Sequence, residues 1–197
     1  MGIKLNLGCG ENKLTGYVNV DMHGEPDVRH DLEQFPWPWD NDSVEEVQMV
    51  HVLEHLGQLT DVYIGVIKEL YRVCQPDAKV RIVVPHHRHD NFHADPTHVR
   101  PITNLGLLLF CQRMNREWIE NGAANSPLGI YHEVDFEITR TTFTPSQVWL
   151  NRYPNQQNNV QLLLRENNIY NNLIEQVDLD LKVIKPAGSS DTAPQAT

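Results

Sequence analysis

The chain has little of the positive charge that binding to nucleic acid needs. Its 197 residues carry 16 Lys and Arg against 26 Asp and Glu, a net charge of −10. That balance argues against nonspecific binding along a phosphate backbone, although one or two arginines could still hold a small anion. Long apolar runs are also missing. Spanning a bilayer takes roughly 20 apolar residues, and the longest cluster here, Leu105–Cys111, falls far short, so no membrane association is expected. Cysteine is scarce: Cys9, Cys74 and Cys111 are odd in number and unrelated in spacing, which leaves no disulfide framework and no CxxC pair. The opening MGIKLNLGCG has no signal-peptide architecture, and a reducing, cytoplasmic location is expected.

What is present is ordinary for a folded domain, with 40% hydrophobic and 21% charged residues. No repeat or domain boundary is evident, so residues 1–185 read as one domain and Pro186–Thr197, poor in apolar residues, as a disordered tail. Strands are expected at Ile3–Leu7, Tyr17–Asp21, Val44–Val52, Lys79–Val84, Val134–Thr144 and Val177–Lys185. Thr60–Val73 has apolar residues at helical spacing, with Thr60 as a plausible N-cap. Ile102–Glu120 and Val160–Gln176 also read as helices, and Pro85–Pro101 as a long loop. Strand, turn or helix, strand in the first half favours a parallel sheet. The closing strand, helix, strand could place an antiparallel pair at its edge. The expected fold is therefore α/β, a Rossmann-like three-layer sandwich.

Leu5-Asn6-Leu7-Gly8-Cys9-Gly10, followed by Asp21 at the end of the next strand, is the most specific motif. A glycine turn after a buried strand lets the backbone approach a ligand, and a carboxylate ending the second strand can accept bonds from ribose hydroxyls. The bland alternative is a tight turn and a solvated strand end. A dinucleotide site wants a third glycine and an acid about 20 residues onward. Here Glu11, Asn12 and Lys13 stand instead, and Glu11 would repel a diphosphate. A phosphate-free sulfonium cofactor, S-adenosylmethionine, fits better.

LNLGCG, YVNVD, HDLEQFPWPWDNDSVEEV, HVLEHL and ELYRVCQPDAKVRIVVPH, in that order, resemble the class I S-adenosylmethionine-dependent methyltransferases, and most of all a small type 11-like branch. The resemblance covers roughly Lys4 to Pro101. It implies that Gly8, Cys9 and Gly10 line the methionine portion and ribose. It also implies that Asp21 holds the ribose hydroxyls, Met22 flanks the adenine, and Asp31 and Leu32 face the adenine edge. His51 would lie beside the methionine part, and Glu54 and His55 near the methyl group. Asn6 departs from the acid often found there, so its contact to the cofactor would lack a salt bridge. The nine residues Gly8 to Gly16 are too few for a full crossover helix.

Pro85–Arg100 holds His86, His87, His89, His93 and His98. Three readings stand side by side: a zinc or iron site, acceptor binding with proton removal, and polar loop packing. No HExxH string is present, and no residue is assigned to a metal. Candidate bases are His55, His86 and His87, in no order. Arg88, His98 and Arg100 are candidates for holding an acceptor. Phe35–Trp39 (FPWPW) reads as a rigid loop packing its tryptophans on the core, the alternative being a lid. His51-Val52-Leu53-Glu54 stands where a DNA amino-methyltransferase would carry its Asn/Asp-Pro-Pro-Tyr signature. The expected activity is methyl transfer to a small molecule or sugar-linked group. A non-catalytic cofactor-binding module and a metal-dependent hydrolase using the histidine loop are the rivals.

Overall fold

Alternation along the strands gives the sheet one apolar face and one polar face. In the computed structural model, which describes residues 2–189, seven strands form one sheet. They are β1 (Ile3–Leu7), β2 (Val18–Asp21), β3 (Val28–Arg29), β4 (Val44–Val50), β5 (Cys74–Pro85), β6 (Phe136–Pro145) and β7 (Ile174–Val183). Their order is β3-β2-β1-β4-β5-β7-β6. The first five are parallel neighbours, and β7 runs antiparallel to both β5 and β6. This is the expected Rossmann-like α/β class, with its antiparallel pair at one edge.

Leu5, Leu7, Val47, Met49, Val80, Ile82, Leu179 and Leu181 are all buried. Between them alternate Glu46, Gln48, Arg81, Asp178 and Asp180, partly exposed. These residues pair with one another and their neighbours: Arg81 with Asp178 at 2.7 Å, Arg140 with Asp180 at 2.7 Å, and Lys4 with Glu46 at 2.9 Å. Pairs open to solvent contribute about 0–1 kcal/mol each, so burial on the other face holds the sheet.

Helix α1 (Thr60–Val73) connects β4 to β5 and buries Tyr63, Val66, Ile67, Leu70 and Val73, one stripe at helical spacing. Thr60 is its first residue rather than its N-cap. The Leu59 carbonyl already accepts the Tyr63 N–H at 3.1 Å, so the helix begins a position earlier than expected. Within the histidine-rich segment, α2 (Asp90–His93) is a single turn started by His89, whose Nδ1 accepts the Asn91 N–H at 3.1 Å.

The helix expected over Ile102–Glu120 is two helices, α3 (Asn104–Leu108) and α4 (Gln112–Glu120). Asp135, fully buried, accepts the Gln112 N–H at 2.9 Å and gives α4 its own start, which breaks the chain before it. The short α5 (Leu128–Tyr131) and α6 (Gln147–Arg152) follow. Helix α7 (Val160–Asn167) stops well before Gln176, and β7 begins at Ile174. Asparagines 167, 168, 171 and 172 favour turns, Asn172 takes φ +62°, and Leu173 and Ile174 are needed in a small core with Trp149 and Leu163. Of the tail, Gly188 is tied down by its N–H to Asp135 at 3.0 Å; residues 190–197 lie outside the described residues.

No helix joins β1 to β2, as the short spacing required. Two buried asparagines take its place. Asn6 donates from its amide to the Asn12 carbonyl and to Asn19 Oδ1, both at 2.9 Å. Asn19 in turn accepts the Leu14 N–H at 2.8 Å and donates to Asp27 at 2.8 Å. The loop's backbone groups are thus satisfied by side chains instead of a helix. Asn6→Asp, the same shape without donors, would set acceptor against acceptor. It should lower the unfolding free energy by about 2 kcal/mol or more, read as a shifted urea midpoint; an unchanged midpoint would contradict this role.

Candidate functional site

Three neighbouring parallel strands end at one level. Register pairs Leu7 with Val20 on one side and with Met49 on the other, so the residues just beyond them, Gly8, Asp21 and the Val50-His51 step, emerge together. β1, flanked by β2 and β4, is where the strand order reverses, and the carboxyl ends at such a reversal are where open α/β sheets bind ligands.

The turn after β1 needs glycine. Gly8 has φ +65°, and a Cβ there would sit 2.3 Å from Val52 Cγ2. Gly10 has φ +49° and open space where its Cβ would be. The Cys9 N–H donates to the Val20 carbonyl at 3.0 Å. The Gly10 N–H donates to Asp21 Oδ2 and the His23 N–H to Asp21 Oδ1, each at 2.9 Å. The glycine turn and the acid therefore converge. Burial pushes the Asp21 carboxyl upward, but the N–H groups of His23, Gly10 and Met22 outweigh it and hold its pKa below the ordinary value. Asp21 stays an anion.

A cavity of about 430 Å³ opens over these strand ends, within the size range of small-ligand pockets. Of the residues singled out from sequence, Gly8, Asp21, Met22, Asp31, Leu32, His51 and His55 line it. His23, His30, Val52, Leu56 and Thr97 line it too. Sequence reasoning missed these five; only their position beside the motif residues hinted at them. His51 itself takes φ +56°, and its Nδ1 lies 3.4 Å from the buried Glu54 carboxylate. Glu54 raises the His51 pKa above its usual value, against the opposing effect of burial.

The remaining candidates stand outside this lining. Asn6 is buried beneath the turn, its amide committed to Asn12 and Asn19. Cys9 is buried, and Gly10 presents its N–H to Asp21. His86 and His87 follow β5, where the His86 N–H bonds to the Glu175 carbonyl at 2.9 Å and the two rings lie 4.3 Å apart. Arg88 is engaged with Asn171 at 3.0 Å and the Asn168 carbonyl at 3.1 Å. Arg100 bonds the Gly57 carbonyl at 2.8 Å and lies 4.3 Å from the Tyr63 ring centre. Neither arginine has a guanidinium left free of protein partners. His98 does not line the cavity, but its ring packs against that of His55 at 4.6 Å. Trp37 is in the core, with Trp39 against it edge-on, the packing reading of the FPWPW run.

Two outcomes follow from this geometry. Gly8→Ala, strained in φ and driven into Val52, should lower the melting temperature well below that of Gly10→Ala, which meets only the φ penalty; equal shifts would contradict the packing of this turn. His86 is the pH-sensitive case. Burial, with His87, Arg88 and His89 adding positive charge, pushes it down to about 4. A histidine held neutral in the fold adds stability above the unfolded value of about 6.5, lost as pH falls toward 4. His86→Gln should therefore flatten the fall in melting temperature between pH 6.5 and 4, and an unaltered slope would count against it.

No protein-family model matches the sequence, and no curated protein is similar to it in sequence. Solved structures do match in shape. A methyltransferase from Archaeoglobus fulgidus described as S-adenosylmethionine dependent matches at TM-score 0.57 and 16% identity, over 92% of this chain and 86% of its own. The 1,6-didemethyltoxoflavin-N1-methyltransferase of Burkholderia thailandensis, with S-adenosylhomocysteine bound, matches at TM-score 0.51 and 12% identity, over 92% and 71%. A methyltransferase from Methanosarcina mazei matches at TM-score 0.50 and 12% identity, over 92% of each chain. The chain has the fold that these S-adenosylmethionine-dependent methyltransferases share.

Proposed function

We propose that the chain is an S-adenosylmethionine-dependent methyltransferase and that the cavity over β1, β2 and β4 receives the cofactor. One observation carries the reading: the Gly8–Gly10 turn and the Asp21 carboxylate meet at the strand-order reversal, joined by the Gly10 N–H. Asp21, kept ionised, accepts the ribose hydroxyls. Asp31 and Leu32, on the cavity wall beside Met22, bracket the adenine. Gly8 leaves room for the methionine portion, which places the methyl group toward His51 and His55.

Methyl transfer is an in-line displacement at a sulfonium methyl, so alignment of the acceptor supplies most of the catalysis, with a base wherever the nucleophile carries a proton. His55 is better placed for that base than His86 or His87. It lines the cavity, and its Nδ1 lies 2.9 Å from Thr97 Oγ1. Thr97 gives its own hydroxyl hydrogen to Asp95 Oδ1 at 2.6 Å. Thr97 therefore accepts from His55 Nδ1–H, and the lone pair is left on Nε2. His86 is a weak base, with its pKa near 4. The 1,6-didemethyltoxoflavin-N1-methyltransferase among the structural neighbours holds the small molecule 1,6-didemethyltoxoflavin, and a small-molecule acceptor is the reading adopted for this chain. The histidine-loop hydrolase loses support because His86, His89 and His93 form no ligand cluster among the described residues.

Isothermal titration with S-adenosylhomocysteine tests the cofactor assignment. Wild-type protein should bind, and Asp21→Asn should weaken binding at least tenfold, or about 1.4 kcal/mol. Absence of binding by the folded wild type would overturn the proposal.

A further inference from the structure

The chain brings together a second constellation, which shares His55 with the cavity just described. The residues after β4 form a single 3-10 turn, Leu53–His55, and the histidine-rich segment returns to it. The Glu54 carbonyl accepts two N–H bonds from that segment, Val99 at 2.9 Å and Arg100 at 3.1 Å. This splice sets His98 beside His55. One ligand atom each from Glu54, His55 and His98 lies within 4.8 Å of the others.

Two features set this cluster apart from incidental polar packing. Glu54 is fully buried, and neither of its carboxylate oxygens has a hydrogen-bond partner. An uncompensated buried carboxylate costs several kcal/mol, and the His51 contact at 3.4 Å is an ion pair only when that imidazole is protonated. The second feature is the histidines' outer bonds. His98 Nδ1 lies 2.8 Å from the Phe92 carbonyl, which can only accept, so the proton is on Nδ1 and Nε2 keeps its lone pair. His55 reaches the same state through Thr97 and Asp95. Both imidazoles thus give one N–H to a fixed acceptor and leave the other nitrogen without a hydrogen bond, with Asp95 Oδ2 standing 3.8 Å from His98 Nε2; this is the outer-shell pattern of metal-bound histidine.

We propose that Glu54, His55 and His98 bind a divalent transition-metal ion, zinc first among them. Two imidazoles and one carboxylate are a known ligand set for zinc that keeps an open position, and it is also the set that holds non-haem iron. Tetrahedral ligands at about 2.1 Å from zinc stand about 3.4 Å apart, so the three side chains would draw inward around the ion. The site itself does not depend on the methyltransferase reading; only its role does. Beside the methyl end of the cofactor, the ion would hold an acceptor oxygen or sulfur and favour loss of its proton to solvent. His55 would then serve as a ligand and the metal would do the work of the base.

The test uses the full chain, stripped with a chelator and titrated with Co²⁺ as a spectroscopic probe. One equivalent should produce visible d–d absorption that Zn²⁺ abolishes. Glu54→Gln and His98→Gln should each weaken binding at least tenfold, while His93→Gln, exposed on the neighbouring turn, should not change it. Circular dichroism confirms that each variant is folded, and the two variants lie on separate segments, so a local collapse of one leaves the other informative. No saturable Co²⁺ spectrum in wild type, or wild-type affinity for Co²⁺ in both ligand variants, would overturn the site. S-adenosylhomocysteine binding is measured on the same chelated protein. Cobalt failing with the nucleoside still bound sinks the metal site alone, and the reverse outcome sinks the cofactor reading alone.

Discussion

Two buried asparagine side chains hold the part of the fold on which the site depends. Parallel strands are ordinarily joined by a helix that satisfies the connection's backbone, and the link between β1 and β2 has no room for one. The Asn6–Asn19 amide pair, at 2.9 Å, performs that service by binding the carbonyl of Asn12 and the N–H of Leu14. The loop is thereby shaped from below, and its first three residues are left to turn over the end of β1. An aspartate at position 6 would lack the donors this requires.

Electrostatics at the strand ends divides the ionisable groups by task. Asp21 is steadied as an anion by backbone N–H groups at the rim of the cavity. Glu54 lies deeper, shielded from water and beside three imidazoles, and its charge has no hydrogen-bonded partner. Farther along the sheet, His86 is kept neutral by burial and by its cationic neighbours. Histidines close in sequence are thus put to different uses because β5 and the loop after it carry them to different surroundings.

Much of this was readable in the residues. The alternation in VDLDLKV gave β7 its two faces, the IKLNLGCG string gave the strand and its glycine turn, and the spacing to Asp21 gave the convergence. What was not readable depended on contacts distant in sequence. Asp135 decides where α4 starts, from 23 residues away. The small core around Trp149 recruits Leu173 and Ile174 into β7 and so ends α7 early. The union of Glu54 with His98 follows from backbone bonds between two segments that have no local pattern in common. Pairings of this kind are tertiary, and periodicity carries no record of them.

The central claim is that the glycine turn and the acid after β2 grip one ligand. A crystal structure of the chain with S-adenosylhomocysteine tests it most directly. The ribose hydroxyls should lie within hydrogen-bond distance of Asp21, with the adenine against Leu32 and the sulfur on the His51 and His55 side. A nucleoside seated elsewhere on the sheet, or lying in this cavity with its ribose turned away from Asp21, would contradict it.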